Sequence, residues 1–171
     1  YSNNKLIFNW ITSGDFNINW SIYIDPLTSV MLVVVTLISS IIHIYSIGYM
    51  SHDSHKARFM SYLSLFTFSM LILITADNFL QLFFGWEGVG LCSYLLIGFW
   101  YKKSSANSAA IKAFIVNRVG DFGFAIGIFL IFFFFGTVNY DEVFKIVPTF
   151  IEKEIILLGL EFNLITLICV M

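Results

Sequence analysis

The sequence predicts an all-α integral membrane protein, a bundle of about five transmembrane helices preceded by a short β-hairpin. Of its 171 residues, 58% are hydrophobic and only 12% are charged, and the mean hydropathy is +0.86. Soluble domains are usually about 45–50% apolar and about 25% charged. Nine basic residues against eleven acidic ones leave no basic surplus, so a nucleic-acid partner is not expected. The length allows about five or six spans of roughly 20 residues.

The first 25 residues are expected to form an interfacial β-hairpin. Residues 16–22 alternate between apolar and polar side chains, as in a strand with one wet face. The turn signal Ser13-Gly14-Asp15 precedes them, and residues 6–11 supply the partner strand. Trp10 and Trp20 suit the boundary between membrane and water.

The transmembrane bundle is predicted over residues 26–171. Its spans are expected at about 27–50, 59–76, 79–101, 108–135 and 155–171. Asp25 and Pro26 suit the start of the first helix. The chain begins with Tyr1 and stops at Met171 inside an apolar run, and we expect it to be a piece of a longer polypeptide.

Alternate loops of such a bundle lie on opposite sides of the membrane. Loops 51–58 and 102–107 share one side, and they carry Lys56, Arg58, Lys102 and Lys103. The positive-inside rule places that side in the matrix or cytoplasm. The hairpin then lies on the opposite face.

Glu87 is the strongest candidate for chemistry. It lies eight residues after Phe79, about 12 Å into its predicted helix. An ionisable group at that depth costs at least about 2.5–3.5 kcal/mol and usually serves transport. Gly85, Gly88 and Gly90 surround it, and they allow either a close helix approach or a local break that admits water. Glu87 is therefore predicted to relay protons, although a neutral, hydrogen-bonded structural glutamate fits the same pattern.

Arg118 and Asp121 are candidate supporting residues on the fourth span. They are three residues apart, and Asn117 lies four residues before Asp121, so all three share one helix face. An arginine side chain does not release its proton in proteins. Arg118 is therefore an electrostatic partner, whereas Asp121 can titrate. A salt bridge that only joins two helices remains an alternative.

Lys112 and His43 are weaker candidates for the proton path. Lys112 can equally extend its amine to the membrane surface. His43 shares a face with Thr36 and Ser40, but a packing histidine fits this arrangement as well. Glu161 is expected at the membrane boundary near the start of the last span.

No cofactor or metal site is predicted in this chain. Cys92 and Cys169 lie far apart in apolar runs, which is typical of buried small hydrophobic residues. The glycines at 85–90 lack the lysine and hydroxyl residue of a phosphate-binding loop.

Several phrases of the sequence together resemble one known family. They stand at residues 24–28 (IDPLT), 43–50 (HIYSIGYM), 77–78 (DN), 85–87 (GWE), 90–100 (GLCSYLLIGFW) and 117–121 (NRVGD). In this order and spacing they resemble the antiporter-like chain 5 subunits in the membrane arm of respiratory NADH:ubiquinone oxidoreductase, complex I. The likeness runs through nearly the whole chain.

The resemblance implies a site and a function. Glu87 is implied to be the essential mid-membrane glutamate of a proton-translocating subunit, paired with a lysine on a later helix. That lysine does not occur before Met171. Arg118 and Asp121 match residues that modulate this pair.

The resemblance also implies surroundings. The expected partners are other membrane-arm subunits, the remainder of the same subunit and membrane lipids. Flavin, iron–sulfur clusters and quinone are expected in partner subunits. The expected location is the mitochondrial inner membrane, with a bacterial plasma membrane as the alternative.

Two other functions remain open from the sequence. An Mrp-type Na⁺/H⁺ antiporter subunit shares much of the motif set, and Asp121 and Glu87 supply oxygen ligands of the kind that sodium needs. A degenerate scaffold, whose charges only hold helices together, is the second alternative.

Overall fold

A computed structural model describes residues 3–14, 16–151, 153–157 and 160–171. The chain opens with an antiparallel hairpin of β1 (Asn3–Ser13) and β2 (Phe16–Ile24). Gly14 adopts a φ of 60° at the turn, a conformation that glycine reaches at no steric cost. Register shifts lie between Leu6 and Phe8 and between Asn9 and Ile11. The predicted hairpin is confirmed, while Asp15 of its turn lies outside the described residues.

Four long helices follow: α1 (Pro26–Tyr49), α2 (Lys56–Ile74), α3 (Phe79–Ile97) and α4 (Ser104–Phe135). All four are long and apolar enough to cross a membrane. Asp25 caps α1 by accepting the Thr28 N–H at 2.6 Å, with Pro26 in the first turn. The 32 residues of α4 measure about 48 Å, more than the roughly 30 Å of a hydrocarbon core. Its polar first turn, predicted as loop, extends the helix beyond the apolar stretch.

The segment after α4 differs from the prediction of a polar connection and a fifth helical span. It forms α5 (Tyr140–Ile146), a 3-10 turn (Val147–Phe150), β3 (Glu154–Leu157), β4 (Leu160–Asn163) and α6 (Leu164–Val170). The fifth span expected at 155–171 is therefore not one continuous helix. The carboxamide oxygen of Asn163 accepts the N–H groups of Ile165 and Thr166 at 3.1 and 3.2 Å, so the helix starts at Leu164. A short apolar run such as 154–157 fits a strand as well as a helix.

Two predicted features of this segment need separate mention. Glu161, expected at the membrane boundary, falls within β4, and its side chain lies outside the described part of the chain. Cys169, predicted to be buried, is exposed, whereas Cys92 is buried as predicted. The short α6 leaves the Cys169 face without a covering element in the described chain.

The hairpin docks on the end of the bundle where α2 meets α3. Gln81 is 1% exposed, and its carboxamide donates to the Ser21 carbonyl at 2.9 Å and accepts the Ser21 N–H at 3.3 Å. The Gln81 side chain thus pairs with β2 as a neighbouring strand would. Tyr23 adds a backbone hydrogen bond to the Thr75 carbonyl at 2.9 Å.

The turn at Asp77 and Asn78 connects three parts of this end. The Asn78 side chain accepts the Gln81 N–H at 2.8 Å and so caps α3, and it donates to the Asn19 carbonyl of β2 at 2.9 Å. Tyr140 donates its backbone N–H to the Asp77 carbonyl at 3.1 Å, at the start of α5. Burial raises the pKa of the Tyr140 phenol, and the charge of Asp77 acts in the same direction. The predicted spans leave residues 77–78 as a connection, but they do not reveal its role in joining the hairpin, the helices and the 137–140 loop.

Contacts between loops also define the opposite end of the bundle. The Trp100 indole donates to an Asp53 carboxylate oxygen at 3.1 Å, and Arg58 donates to the Phe99 carbonyl at 3.2 Å. The loops after α1 and α3 therefore lie side by side, as the alternation of the spans predicts.

Candidate functional site

Glycines on α3 set the position of Glu87. A Cβ atom added at Gly85 would lie 2.7 Å from the Leu73 backbone of α2, and one added at Gly88 would lie 2.7 Å from the Ser69 hydroxyl. Two glycines thus let α3 approach α2 closely. The helix continues unbroken from Phe79 to Ile97, so of the two expected roles of these glycines the structure shows the close approach and not the helix break.

Glu87 forms an ion pair with Arg118 of the neighbouring helix α4. Arg118 Nη1 contacts Glu87 Oε2 and lies 3.7 Å from Asp121 Oδ2, so one guanidinium serves two carboxylates. The Asp121 side chain is 9% exposed, that of Glu87 25% and that of Arg118 48%. The Arg118 guanidinium also lies 4.8 Å from the centre of the Phe114 ring. The structure therefore brings together three of the five predicted site residues.

Trp86 completes this ionic cluster. Its indole N–H donates to Asp121 Oδ1 at 2.8 Å, so the two Asp121 oxygens face different partners. Sequence reasoning named Trp86 only as part of a motif. The signal that could have found it is chemical, because a buried carboxylate requires hydrogen-bond donors.

The ionic cluster of Trp86, Glu87, Arg118 and Asp121 lies far from the helix ends. Glu87 stands midway along the 19 residues of α3, and Asp121 stands near the middle of the 32 residues of α4. Beside the cluster is a cavity of about 720 Å³, lined in part by Trp86, Asn117 and Asp121. Two carboxyl groups, one permanent cation and space for water far from the helix ends are the parts that a proton relay needs.

His43 lies elsewhere, between α1 and α2. Its Nδ1 is 2.8 Å from the Ser39 carbonyl, and its Nε2 is 3.3 Å from the Ser64 hydroxyl. The Ser39 hydroxyl continues to that of Thr67 at 2.7 Å. Thr36 and Ser40, expected on the same helix face as His43, donate their hydroxyls to carbonyls of their own helix.

Lys112 is also separate from the ionic cluster. It is exposed on α4, six residues before Arg118, a separation of about 9 Å along the helix axis. None of the salt bridges found among the described side chains involves it. Nor do those side chains include three or more histidine, cysteine, aspartate or glutamate residues grouped to hold a metal ion.

Two family profiles match the chain. One, described as "NADH-Ubiquinone oxidoreductase (complex I), chain 5 N-terminus", matches residues 10–60. The other, described as "NADH:quinone oxidoreductase/Mrp antiporter, TM", matches residues 76–171. The second match contains every member of the ionic cluster.

Curated relatives agree with these profiles. The chain is 57% identical over 162 residues to NADH-quinone oxidoreductase subunit L of Rickettsia bellii, covering 95% of this chain and 25% of that protein. It is 57% identical to NADH-ubiquinone oxidoreductase chain 5 of Chondrus crispus, covering 95% and 24%, and 55% identical to that of Dictyostelium discoideum, covering 93% and 24%. The chain thus spans about a quarter of the length of these relatives. It belongs to the NADH:quinone oxidoreductase/Mrp antiporter transmembrane family.

Proposed function

We propose that this chain is part of a proton-translocating membrane subunit of NADH:quinone oxidoreductase, and that Glu87 takes up and releases the transported proton. The single observation that carries the proposal is the ion pair of Glu87 with Arg118, midway along two apolar helices and shared with Asp121. Named relatives at 53–57% identity support the assignment to that complex.

In this proposal, the position of Arg118 determines which of the two carboxylates accepts a proton. Its guanidinium keeps its charge throughout, and it contacts Glu87 while lying 3.7 Å from Asp121. A small side-chain movement changes which carboxylate it neutralises. The other carboxylate is then the better proton acceptor, because an unpaired charge at that depth is costly.

Water completes the proposed path. The cavity beside the cluster reaches Asp121 and Asn117, so water there can carry a proton to the carboxylate. We assign His43 a supporting role on a separate chain of hydroxyl groups, Ser39, Ser64 and Thr67. Lys112 lies about 9 Å from Arg118 along α4. We assign it to the proton path of the ionic cluster, to which intervening water connects it.

The redox step is assigned to other subunits. In this proposal flavin, iron–sulfur clusters and quinone belong to partner subunits, and this chain moves protons in response to their chemistry. Other membrane-arm subunits, the remainder of the same subunit and membrane lipids are its proposed partners. The proposed location is the mitochondrial inner membrane or a bacterial plasma membrane.

Replacing Glu87 with Gln in the assembled complex tests the proposal. The variant keeps the size and polarity of the side chain but removes its charge and its exchangeable carboxyl proton. We expect proton pumping, measured as acidification of sealed vesicles during NADH oxidation, to be abolished or greatly reduced. Glu154→Gln is the matched control, because Glu154 is exposed in β3 and its replacement should leave pumping unchanged.

Other outcomes separate the alternatives. Normal pumping by the Glu87→Gln variant would refute the relay assignment. Ion transport that requires sodium, in an assembly without redox subunits, would instead identify an Mrp-type antiporter. Activity that survives the combined change Glu87→Leu and Asp121→Leu would identify a scaffold.

A further inference from the structure

Arg58 lies at the loop end of the bundle with part of its hydrogen-bonding capacity unused. It stands in the first turn of α2, and its Nη2 donates to the Phe99 carbonyl at 3.2 Å. Its Nε is buried without a hydrogen-bond partner. The guanidinium lies 4.8 Å from the Phe99 ring centre and 5.5 Å from that of Tyr101. No carboxylate among the described residues forms a salt bridge with it.

Such an environment is unusual for an arginine. Buried or half-buried charges are normally paired, and buried donors are normally satisfied. The two aromatic rings stabilise the cation but accept no strong hydrogen bond. Arg58 therefore offers an anionic ligand a positive charge that no salt bridge among the described residues neutralises.

A cavity of about 210 Å³ adjoins Arg58. Tyr62, Tyr94, Tyr101 and Asn107 contribute to its lining, and phenol and carboxamide groups donate hydrogen bonds to phosphate oxygens. Asn107 belongs to the first turn of α4, whose N-cap residue Lys103 makes no side-chain capping bond.

We infer that this Arg58 cavity binds the phosphate of an anionic phospholipid. Residues 50–58 and 98–107 carry Lys56, Lys102 and Lys103 besides Arg58, with Asp53 as their only carboxylate. The cavity lies where the apolar helices end, and Leu95 of α3 adds an apolar wall. A headgroup phosphate reaches this level from the bilayer while its acyl chains stay against the helices, and basic pockets between helices bind such headgroups.

The test compares charge removal inside and outside the cavity. The intact protein carrying this chain is purified in neutral detergent and titrated with phosphatidylglycerol, with phosphatidylcholine as the uncharged comparison. Retained lipid is counted by native mass spectrometry. Arg58→Gln should weaken phosphatidylglycerol binding about tenfold or more, the effect of losing hydrogen bonds to a charged group. Lys102→Gln removes the same charge from the same end without touching the cavity, and it should cost about fivefold at most.

Two further measurements keep the outcome decisive. Tyr94→Phe removes one hydroxyl from the cavity and retains the ring contact with Phe114, so it should weaken binding less than Arg58→Gln in a folded protein. Equal losses for Arg58→Gln and Lys102→Gln, or equal binding of phosphatidylcholine, would overturn the inference. Saturation by inorganic phosphate that phosphatidylglycerol cannot displace would assign the cavity to a soluble anion instead.

Discussion

At the scale of single residues, the ionic cluster depends on how closely the Arg118 guanidinium contacts each of two carboxylates, those of Glu87 and Asp121. Arg118 contacts Glu87 directly and Asp121 at 3.7 Å. Trp86 holds the other oxygen of Asp121 at 2.8 Å. The indole hydrogen bond therefore stabilises the Asp121 carboxylate, whose ion pair with Arg118 is the longer one. As a result, Arg118 can remain in contact with Glu87.

Replacing Trp86 with Phe tests this division. The variant keeps an aromatic ring against Phe124 and loses the hydrogen bond, whose removal from a charged acceptor costs about 1.5–3 kcal/mol. Asp121 should then draw Arg118 from Glu87. We expect a several-fold drop in pumping rate and a shifted pH dependence of pumping in vesicles.

Trp100→Phe is the matched control for this change. Trp100 also donates its indole N–H to a carboxylate, that of Asp53 at 3.1 Å, but in an exposed loop. Its replacement should leave the pH dependence of pumping unchanged. An identical shift in both variants would show that Trp86 acts only on general stability.

Asp53 gives a second prediction at this scale, on pH dependence. The backbone N–H of His55 and, next, the Trp100 indole hold the pKa of Asp53 below its ordinary value of 3.8. Because the pKa of Asp53 is lower in the folded state, its contact with Trp100 is fully formed at any pH above the ordinary pKa. The contact is lost as the pH falls through the lowered pKa of the folded state. The fluorescence of Trp100 is obtained as the difference between the unchanged protein and the Trp100→Phe variant. This signal should therefore change only below pH 3.8. Asp53→Asn should abolish the transition, and a midpoint above that value would contradict the proposed stabilisation.

At the scale of elements, the packing of α2 against α3 positions the ionic cluster. Gly85 lies on the α2 side of α3, where an added Cβ would meet the Leu73 backbone at 2.7 Å. Backbone atoms cannot move aside as a flexible side chain can. The neighbouring Glu87 is thereby directed towards α4 and Arg118.

Gly85→Ala should separate the two helices. We expect a loss of about 1–3 kcal/mol in the free energy of unfolding, the usual cost of overpacking, measured by denaturation in mixed micelles. Gly90→Ala is the control, because an added Cβ there meets no atom within 4 Å. That change should be neutral or stabilise the helix by about 0.5–1 kcal/mol. Equal effects of both variants would show that the close approach has no energetic role.

At the scale of the whole molecule, the two ends of the bundle differ in construction. One end joins the hairpin, the α2–α3 turn and α5 through Gln81, Asn78 and Tyr140. The other end joins two short basic loops through Arg58 and Trp100. This asymmetry, together with the positive-inside rule, predicts a single orientation in the membrane.

Cysteine labelling measures that orientation. In a Cys169→Ser background, Cys92 stays unreactive because it is 1% exposed. A membrane-impermeant thiol reagent should label Lys102→Cys from the matrix or cytoplasmic side. Thr12→Cys, exposed on the hairpin, should be labelled from the opposite side. The reverse pattern would show that the basic loops do not set the topology.

The sequence determined the elements whose signals are local. Apolar runs of about 20 residues specified the four long helices, since a bilayer demands that length. Alternation and a glycine turn specified the hairpin. Glu87, Arg118 and Asp121 were identifiable because charges are rare and costly in such helices.

Only the tertiary structure decided which of these residues meet. The pairing of Arg118 with Glu87, the Trp86 hydrogen bond and the Gln81 contact join residues 31, 35 and 60 positions apart. It also replaced a fifth helix with the antiparallel strand pair β3 and β4 and the short capped helix α6. Helical periodicity specifies which residues share a face, but the rotation of that face towards a neighbour depends on packing between helices, such as the close contact at Gly85.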